Sequence, residues 1–278
     1  MKKNVFIYFL ICLCFLFLTA CPIKVPDIAR WEVKTRSFVL AFGEPTAFQM
    51  QLTDNNNIVL YWSNISQWFT FQSTGFEKVR YDQLTTQHND LGYIRMTLAI
   101  EGGERFPTRR TYIFNNITSI DVISDTDFST EYPAGTSLAG FVRLLSVSPM
   151  HFIESGYQET FDWHHNYPVD FLREATTIDS FVGDFFGAPT EYRMSKYPNH
   201  FPISEVLSEL EPDDFRLLGI GTHFSKPSWQ QGWRSHIGWF FGFLVFDKEP
   251  ENLGTHRLTV TIHRTNRPVL RRTIEKTF

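Results

Sequence analysis

A period of two in the apolar residues constrains the fold of this chain more than any other feature. Apolar and polar side chains alternate over residues 94–100 in the first half and over residues 258–263 near the C-terminus. Successive side chains of a β-strand point to opposite faces, so this spacing predicts strands with one face in a core. A regular succession of strand and helix patterns is missing, which favours antiparallel over parallel pairing.

Turn-forming sequences separate several further predicted strands. Gly43-Glu44-Pro45 is predicted to end one strand, and the Asp/Asn run at residues 54–57 to turn the chain, because both residue types tolerate left-handed backbone. The apolar segment at residues 237–246 contains two glycines, which favours a buried strand over a helix. Two short helices are expected, one capped by Ser137 and one by Ser204. The other predicted strands lie at residues 38–42, 48–52, 58–62, 68–71, 111–114, 117–123 and 269–278.

Residues 1–20 have the layout of a secretory signal peptide. Two lysines precede an apolar run at residues 5–18, and small residues follow it. The run is shorter than the roughly 18 apolar residues that a membrane-spanning helix needs. Leu18-Thr19-Ala20-Cys21 resembles the lipobox of bacterial lipoproteins, in which the cysteine thiol is diacylated and the signal is cut just before it. The alternative is an ordinary signal peptide cleaved near Ala20, which leaves a free thiol.

Acylation of Cys21 accounts for the position of the three cysteines, which all lie in the first 21 residues. Cys12 and Cys14 would leave with the signal peptide, and the mature chain would contain no disulfide. Two or three acyl chains anchor a protein stably to a membrane, as a single chain does not. Pro22 rather than aspartate follows the cysteine, which by resemblance to lipoprotein sorting favours the outer membrane. We therefore expect a palmitate-bearing lipoprotein with a lipidated tether at residues 21–35, facing either the periplasm or the outside.

The charge of the chain argues against one class of partner. Without the signal peptide it carries 24 basic and 30 acidic residues, a net charge of −6. Proteins that bind nucleic acid present a basic surface, so no nucleic-acid partner is expected. A His-Glu-x-x-His motif is missing from the sequence and no cysteine remains as a ligand, so neither a metal nor a cofactor is expected.

The segment KPSWQQGWRSHIGW, at residues 226–239, contains the ligand-binding candidates. Trp229, Trp233 and Trp239 lie among polar residues that include Gln230 and Arg234. Flat aromatic rings can stack on sugar rings while amides bond to sugar hydroxyls, so the segment indicates a glycan site. Packing in the core is the alternative, which we favour for the indoles, although the polar neighbours predict at least one exposed indole.

Four other patterns have simpler explanations. GTSLAG, at residues 135–140, is close to the Gly-x-Ser-x-Gly nucleophile elbow, but it lacks the last glycine and a strand that runs directly into the serine. DWHHNYP, at residues 162–168, contains consecutive histidines, which on a strand would face opposite sides and could not easily share one metal. The aspartates of residues 121–127 lack EF-hand spacing and are expected in turns and caps. The basic residues of 257–278 are expected on an outer face or at a protected sheet edge.

Two segments resemble a family of uncharacterised lipoproteins from Bacteroidetes. They are ITSIDVISDTDFSTEYPAGTSL at residues 117–138 and FLVFDKEPENLGTHRLTVTIHRTNRPVLRRTIEKTF at residues 243–278. In that family the first segment runs from a strand through an aspartate-rich turn and a Pro-Ala-Gly loop into a short helix, and the second closes an immunoglobulin-like sheet. The resemblance implies a mainly β chain, with an antiparallel immunoglobulin-like β-sandwich and a few short helices over residues 36–278. Two sandwiches with a boundary near residues 150–170 are the alternative.

The family is of unknown function, so the resemblance implies no substrate. The features together favour a non-enzymatic binding or structural module, with a glycan or another envelope protein as its partner. One alternative is a secreted hydrolase with an unrecognised acid or histidine site. Another is a surface-assembly subunit that pairs sheet edges.

Overall fold

The computed structural model describes residues 31–33, 37–93, 96–101, 104–107, 112–114, 116–162, 199–217, 220–224 and 236–278. These residues belong to two units. The smaller unit contains the described residues of Met1–Lys34 and Arg95–Arg109, and the larger unit those of Thr35–Ile94 and Arg110–Phe278. The expectation of a single domain over residues 36–278, or of two sandwiches with a boundary near residues 150–170, stays a prediction.

The elements follow one another in an order dominated by strands. They are β1 (Trp31–Val33), β2 (Ala41–Leu52), β3 (Ile58–Thr70), α1 (Gly75–Gln87), β4 (Met96–Glu101), β5 (Glu104–Pro107), β6 (Tyr112–Phe114), β7 (Ile117–Ser124), β8 (Val142–Ser148), α2 (Met150–Glu154), β9 (Phe201–Val206), β10 (Ile220–Phe224), β11 (His236–Phe246), β12 (Thr255–Arg264) and β13 (Leu270–Thr277). The prediction of a mainly β chain is confirmed.

The smaller unit is a three-stranded antiparallel sheet in the order β1-β4-β5. The ladder between β4 and β5 closes on the pair Glu101 and Glu104. The sequence placed residues 31–33 in the lipidated tether, but they form β1 and pair with β4, with Val33 opposite Met96.

The larger unit contains two sheets. One is a mixed sheet in the order β6-β2-β3-β11-β8-β9, with β10 paired to the first half of β11, and the other is an antiparallel sheet in the order β13-β12-β7. Strands β2 and β6 run parallel, so the expectation of antiparallel pairing throughout is wrong at this one pair. Parallel neighbours need a long connection, and the chain between Leu52 and Tyr112 supplies it.

Strand β2 continues through Gly43-Glu44-Pro45, where the sequence predicted its end. Its ladder with β3 shifts register several times between Glu44 and Phe48. Bulges of this kind accommodate a proline, which has no N–H to give to a ladder. Each extra residue inverts the alternation of side chains, so Phe42 and Phe48 enter different cores although their positions differ by an even number.

Two hydrophobic cores therefore cover opposite faces of the mixed sheet. The first combines buried side chains of β2, β3, β8 and β11 with those of β7 and β12, so both sheets of the larger unit share it. The second combines Phe42 and Phe69 with Tyr81 and Leu84 of α1 and with apolar residues of α2. Each core excludes water from one face of the sheet and contributes to its stability.

Both short helices predicted from capping serines are wrong. The residues after Ser137 lead into β8, and Ser204 itself lies in β9. Strand β8 pairs with β11 on one side and β9 on the other, and this pairing overrides an apolar spacing that also fits a helix. The long helix α1 was missed because Phe76 and Val79 are exposed, so its apolar residues do not form one stripe.

Basic side chains of β12 and β13 cover one edge of β2. Among the described residues, β2 pairs with β3 along its length but with β6 only over Ala41–Gly43. Two arginines donate to backbone carbonyls of β2 beyond that point and so protect this edge, and Lys276 donates to a carbonyl in the turn that follows β2. The donor and acceptor pairs are Arg264 to Pro45 at 2.5 Å, Arg272 to Phe48 at 3.2 Å, and Lys276 to Asn56.

Candidate functional site

A cleft of about 410 Å³ opens in the larger unit where several connections meet. Its walls are the C-terminal end of α1, the link from β6 to β7, the turn at residues 212–216 and the turn between β12 and β13. Glu44, at the first bulge of β2, lies at its base beside Phe114. A volume of this size is typical of sites for small molecules.

The end of α1 is fixed by a Schellman motif. Asn89 adopts a φ of 53°, and the N–H of Asp90 donates to the carbonyl of Thr85 at 2.8 Å. The fully buried carboxylate of Asp90 then accepts two backbone N–H groups of the segment that leads into β2, at 2.8 and 2.9 Å. These bonds hold His88, two positions before Asp90, in the wall of the cleft.

His88 is the least satisfied polar side chain of the cleft. It is only 5% exposed, and neither Nδ1 nor Nε2 has a hydrogen-bond partner in the described part of the chain. Burial, with the positive charges of Arg216 and Arg80, lowers its pKa from 6.5 to about 4, although Asp213 acts in the opposite direction. The imidazole is therefore neutral at pH 7 and offers one N–H donor and one acceptor.

An ion pair between Glu44 and Arg267 lines the cleft. Glu44 is largely buried, and its Oε1 accepts from Nη2 of Arg267 at 2.6 Å and from Nε of the same guanidinium at 2.9 Å. Nδ2 of Asn116 lies 3.4 Å from the same oxygen. Asn116 and Asn266 both have positive φ, at 75° and 55°, so tight turns bring these donors to the carboxylate.

A second ion pair lies on the turn that follows β9. Nη2 of Arg216 donates to Asp213 at 2.5 Å, and burial lowers the pKa of the arginine. Arg80, on α1, also lines the cleft, but its hydrogen bond goes to the neutral amide of Gln83 at 3.3 Å. In the described residues Arg80 therefore has no carboxylate partner.

The cleft has the chemistry of a polar binding site with an excess of positive charge. Three guanidiniums face two carboxylates, and the neutral His88 adds an unpaired donor and acceptor. Among its described lining residues there is no serine, cysteine or lysine to act as a nucleophile.

Of the sequence-predicted ligand-binding residues, the structure describes Trp239 alone. Its indole is half-buried and packs against Trp68, with ring centroids 4.8 Å apart, and against Phe114 at 6.4 Å. Since Phe114 also lines the cleft, Trp239 lies one ring away from it. Trp229, Gln230, Trp233 and Arg234 lie outside the described residues, as does the predicted lipid-attachment residue Cys21.

The other sequence patterns have structural roles where they are described. Oγ of Ser137 donates to Asp121 at 2.5 Å on an exposed surface, and no strand runs directly into the serine. Asp127 accepts the backbone N–H of Ala134 at 2.8 Å within its own loop, whereas Asp125 accepts that of Arg257 on β12 at 3.1 Å. The histidine pair at residues 164–165 lies outside the described residues.

His256 forms a Ser–His contact that resembles part of a catalytic site. Its Nδ1 lies 3.0 Å from Oγ of Ser124 and 2.9 Å from Oγ1 of Thr126. However, His256 and Ser124 are 3% and 2% exposed, and neither lines the cleft. The contact satisfies buried polar atoms within the three-stranded sheet.

The described residues lack both a metal-binding cluster and a membrane-spanning helix. They contain no group of three or more His, Cys, Asp or Glu side chains arranged to hold a metal ion. No helix in the same stretches combines the length and the apolar composition needed to cross a membrane.

Sequence reasoning missed the residues of the cleft. Arg80, His88 and Arg216 are separated by up to 136 positions, and no local motif joins them. One available signal was Asn89-Asp90, because asparagine is common after the last turn of a helix. It indicates where α1 ends but not what faces the end.

In comparisons with protein families, with curated proteins and with solved structures, nothing matches this chain.

Proposed function

We propose that this protein is a lipoprotein of the bacterial outer membrane, acylated at Cys21, and that it binds a small polar ligand in the cleft without transforming it. The lipobox and the resemblance of residues 117–138 and 243–278 to uncharacterised Bacteroidetes lipoproteins support the anchor. The two sheets with a shared core are compatible with the immunoglobulin-like sandwich of that family, which is part of the proposal.

One observation carries the binding function: both ring nitrogens of the buried His88 lack a partner in a cleft of ligand size. A buried polar group without a hydrogen bond costs about 1–3 kcal/mol. A ligand that pairs with these nitrogens removes that cost, so the cleft favours an occupant with hydrogen-bonding groups.

The composition of the cleft favours binding over hydrolysis. Hydrolysis by a covalent route needs a nucleophile beside a base, and in the described part of the chain the lining hydroxyls of Thr118 and Thr265 make no hydrogen bond to a histidine or a carboxylate. The carboxylates of Glu44 and Asp213 are each engaged by an arginine. The assembly alternative needs a free sheet edge, and at one such edge, that of β2, the guanidiniums of Arg264 and Arg272 occupy backbone carbonyls.

The function is tested by filling the cleft. Thr265 is exposed and lines it, so Thr265→Trp should block entry without disturbing a core. Thr273→Trp, on an exposed position of β13, is the matched control. The detergent-solubilised mature protein is titrated with a panel of neutral oligosaccharides, amino acids, sugar acids and sugar phosphates, and melting temperatures are measured.

We expect at least one compound to raise the melting temperature of the wild type and of Thr273→Trp, but not of Thr265→Trp. The proposed function is wrong if no compound shifts the wild type, or if the shifts survive in Thr265→Trp.

A further inference from the structure

Among the described residues, two of the three arginines that line the cleft are paired with a carboxylate, and the third is not. The guanidiniums of Arg267 and Arg216 already contact the carboxylates of Glu44 and Asp213, at 2.6 and 2.5 Å. Within the described residues, Arg80 contacts only the amide of Gln83, which carries no charge. The uncompensated positive charge therefore lies on the α1 wall, and a cleft of this sign favours an anion.

His88 lies in the field of the same charges. The positive charges of Arg216 and Arg80 both act on its imidazole and favour the neutral form. A neutral imidazole donates one hydrogen bond and accepts another. A carboxylate or phosphate alone can use only the donor, whereas a neighbouring hydroxyl can donate to the second nitrogen.

The size of the cleft limits the rest of the ligand. About 410 Å³ accommodates a molecule of the size of a monosaccharide, but not a long chain unless it extends outside.

We propose that the cleft binds a small hydroxylated anion, whose carboxylate or phosphate pairs with the guanidinium of Arg80 and whose hydroxyl pairs with His88. The inference rests on the proposed function and names the class of ligand for the same site. Planar guanidinium matches both kinds of anion, and the charge-assisted bonds it makes are stronger than neutral ones. Sugar acids and sugar phosphates share this chemistry.

The test compares three probes that differ in the charged group alone: glucuronate, glucose 6-phosphate and glucose. Binding to the detergent-solubilised mature protein is measured by isothermal titration calorimetry at neutral pH, in low and in high salt. Glucuronate and glucose 6-phosphate distinguish a carboxylate from a phosphate ligand. We expect at least one of them to bind about tenfold or more tightly than glucose, and the affinity to fall with salt.

Substitutions of cleft residues test whether the anions bind in the cleft. Arg80→Gln should weaken anion binding about tenfold or more, and His88→Phe, which keeps a ring in the buried space, should also weaken it. Arg271→Gln, at an exposed position on β13, is the control and should bind like the wild type. Melting curves check that the variants fold, and the salt dependence of the wild type does not rely on any variant.

The outcomes separate the two proposals. If glucose binds as tightly as both anions, or if Arg80→Gln binds the anions like the wild type, the anion inference is wrong and a neutral polar site remains. If glucose, glucuronate and glucose 6-phosphate all fail to bind, the anion inference is also wrong. The proposed function itself fails only when the wider panel also shows no shift that Thr265→Trp removes.

Discussion

Lys276 is a buried basic residue whose surroundings lower its pKa. The residue is 5% exposed, its ammonium donates to the carbonyl of Asn56, and it lies 4.2 Å from the ring centroid of Phe278. Burial lowers its pKa from 10.5 to about 8, and the negative charge of Glu249 opposes this shift only in part. The folded protein therefore binds the titrating proton of the Lys276 ammonium less tightly than the unfolded chain does.

This difference predicts a stability that rises with pH. Between about pH 8 and pH 10.5 the unfolded chain binds more protons at Lys276 than the folded protein, so the free energy of unfolding should increase across that window. Lys276→Met keeps the apolar stem and removes the titration. Urea unfolding at a series of pH values should give a steeper rise for the wild type than for Lys276→Met. Parallel curves would show that the ammonium is not desolvated.

At the residue scale, the sequence predicted the positions of turns better than the electrostatic environment of a buried side chain. The asparagine turn before β3 is confirmed, with Asn56 at a φ of 57°, because the propensity of one residue decides it. The environment of His88 depends on Arg80 and Arg216, which only the tertiary structure brings together. Local sequence carries no information about such a pairing.

At the scale of elements, the edge of β2 is closed by side chains instead of a strand. Nε of Arg272 donates to the carbonyl of Phe48 at 3.2 Å, although Arg272 as a whole is exposed. The neighbouring Arg271 is also exposed, and its backbone carbonyl accepts from Arg272. The two arginines therefore differ mainly in what their guanidiniums contact, which makes them a matched pair.

Arg272→Met should destabilise the larger unit by about 1–2 kcal/mol, because a hydrogen bond from a charged donor is lost at a sheet edge. Arg271→Met should change stability by less than about 0.5 kcal/mol, as exposed substitutions usually do. Chemical denaturation of the two variants measures the difference. Light scattering should also show more aggregation for Arg272→Met, since an uncovered edge can pair with another chain. Equal stabilities would mean that the contact with Phe48 contributes nothing.

Strands were easier to predict than helices in this chain. Alternation correctly placed β7, β12 and β13, since each has one face in a core or at an edge. Turn and capping signals failed at Pro45, where a bulge keeps β2 continuous, and at Ser137, where pairing with β11 makes the next element a strand. In both cases a neighbouring strand, absent from the local sequence, decides the outcome.

At the scale of the whole molecule, the cleft is a product of topology. It forms where the end of α1, the link from β6 to β7, two turns and a bulge of β2 meet, and these come from five separate parts of the chain. The mainly β class could be predicted from alternation, but the parallel β2–β6 pair and the division into two units could not. Both depend on contacts between residues far apart in sequence.

The membrane anchor is the remaining property of the whole molecule, and it is tested at Cys21. A diacylated lipoprotein should incorporate radioactive palmitate, whereas Cys21→Ser should not, because serine lacks the thiol that accepts the lipid. Cys14→Ser removes a cysteine from the same signal region and is the matched control: it should label like the wild type. Fractionation should place the wild type and Cys14→Ser in the outer membrane, where two or more acyl chains hold a protein stably, and should release Cys21→Ser from it. Equal labelling of Cys21→Ser and the wild type would overturn the lipoprotein assignment, but it would leave the cleft and its ligand to be decided by the titrations.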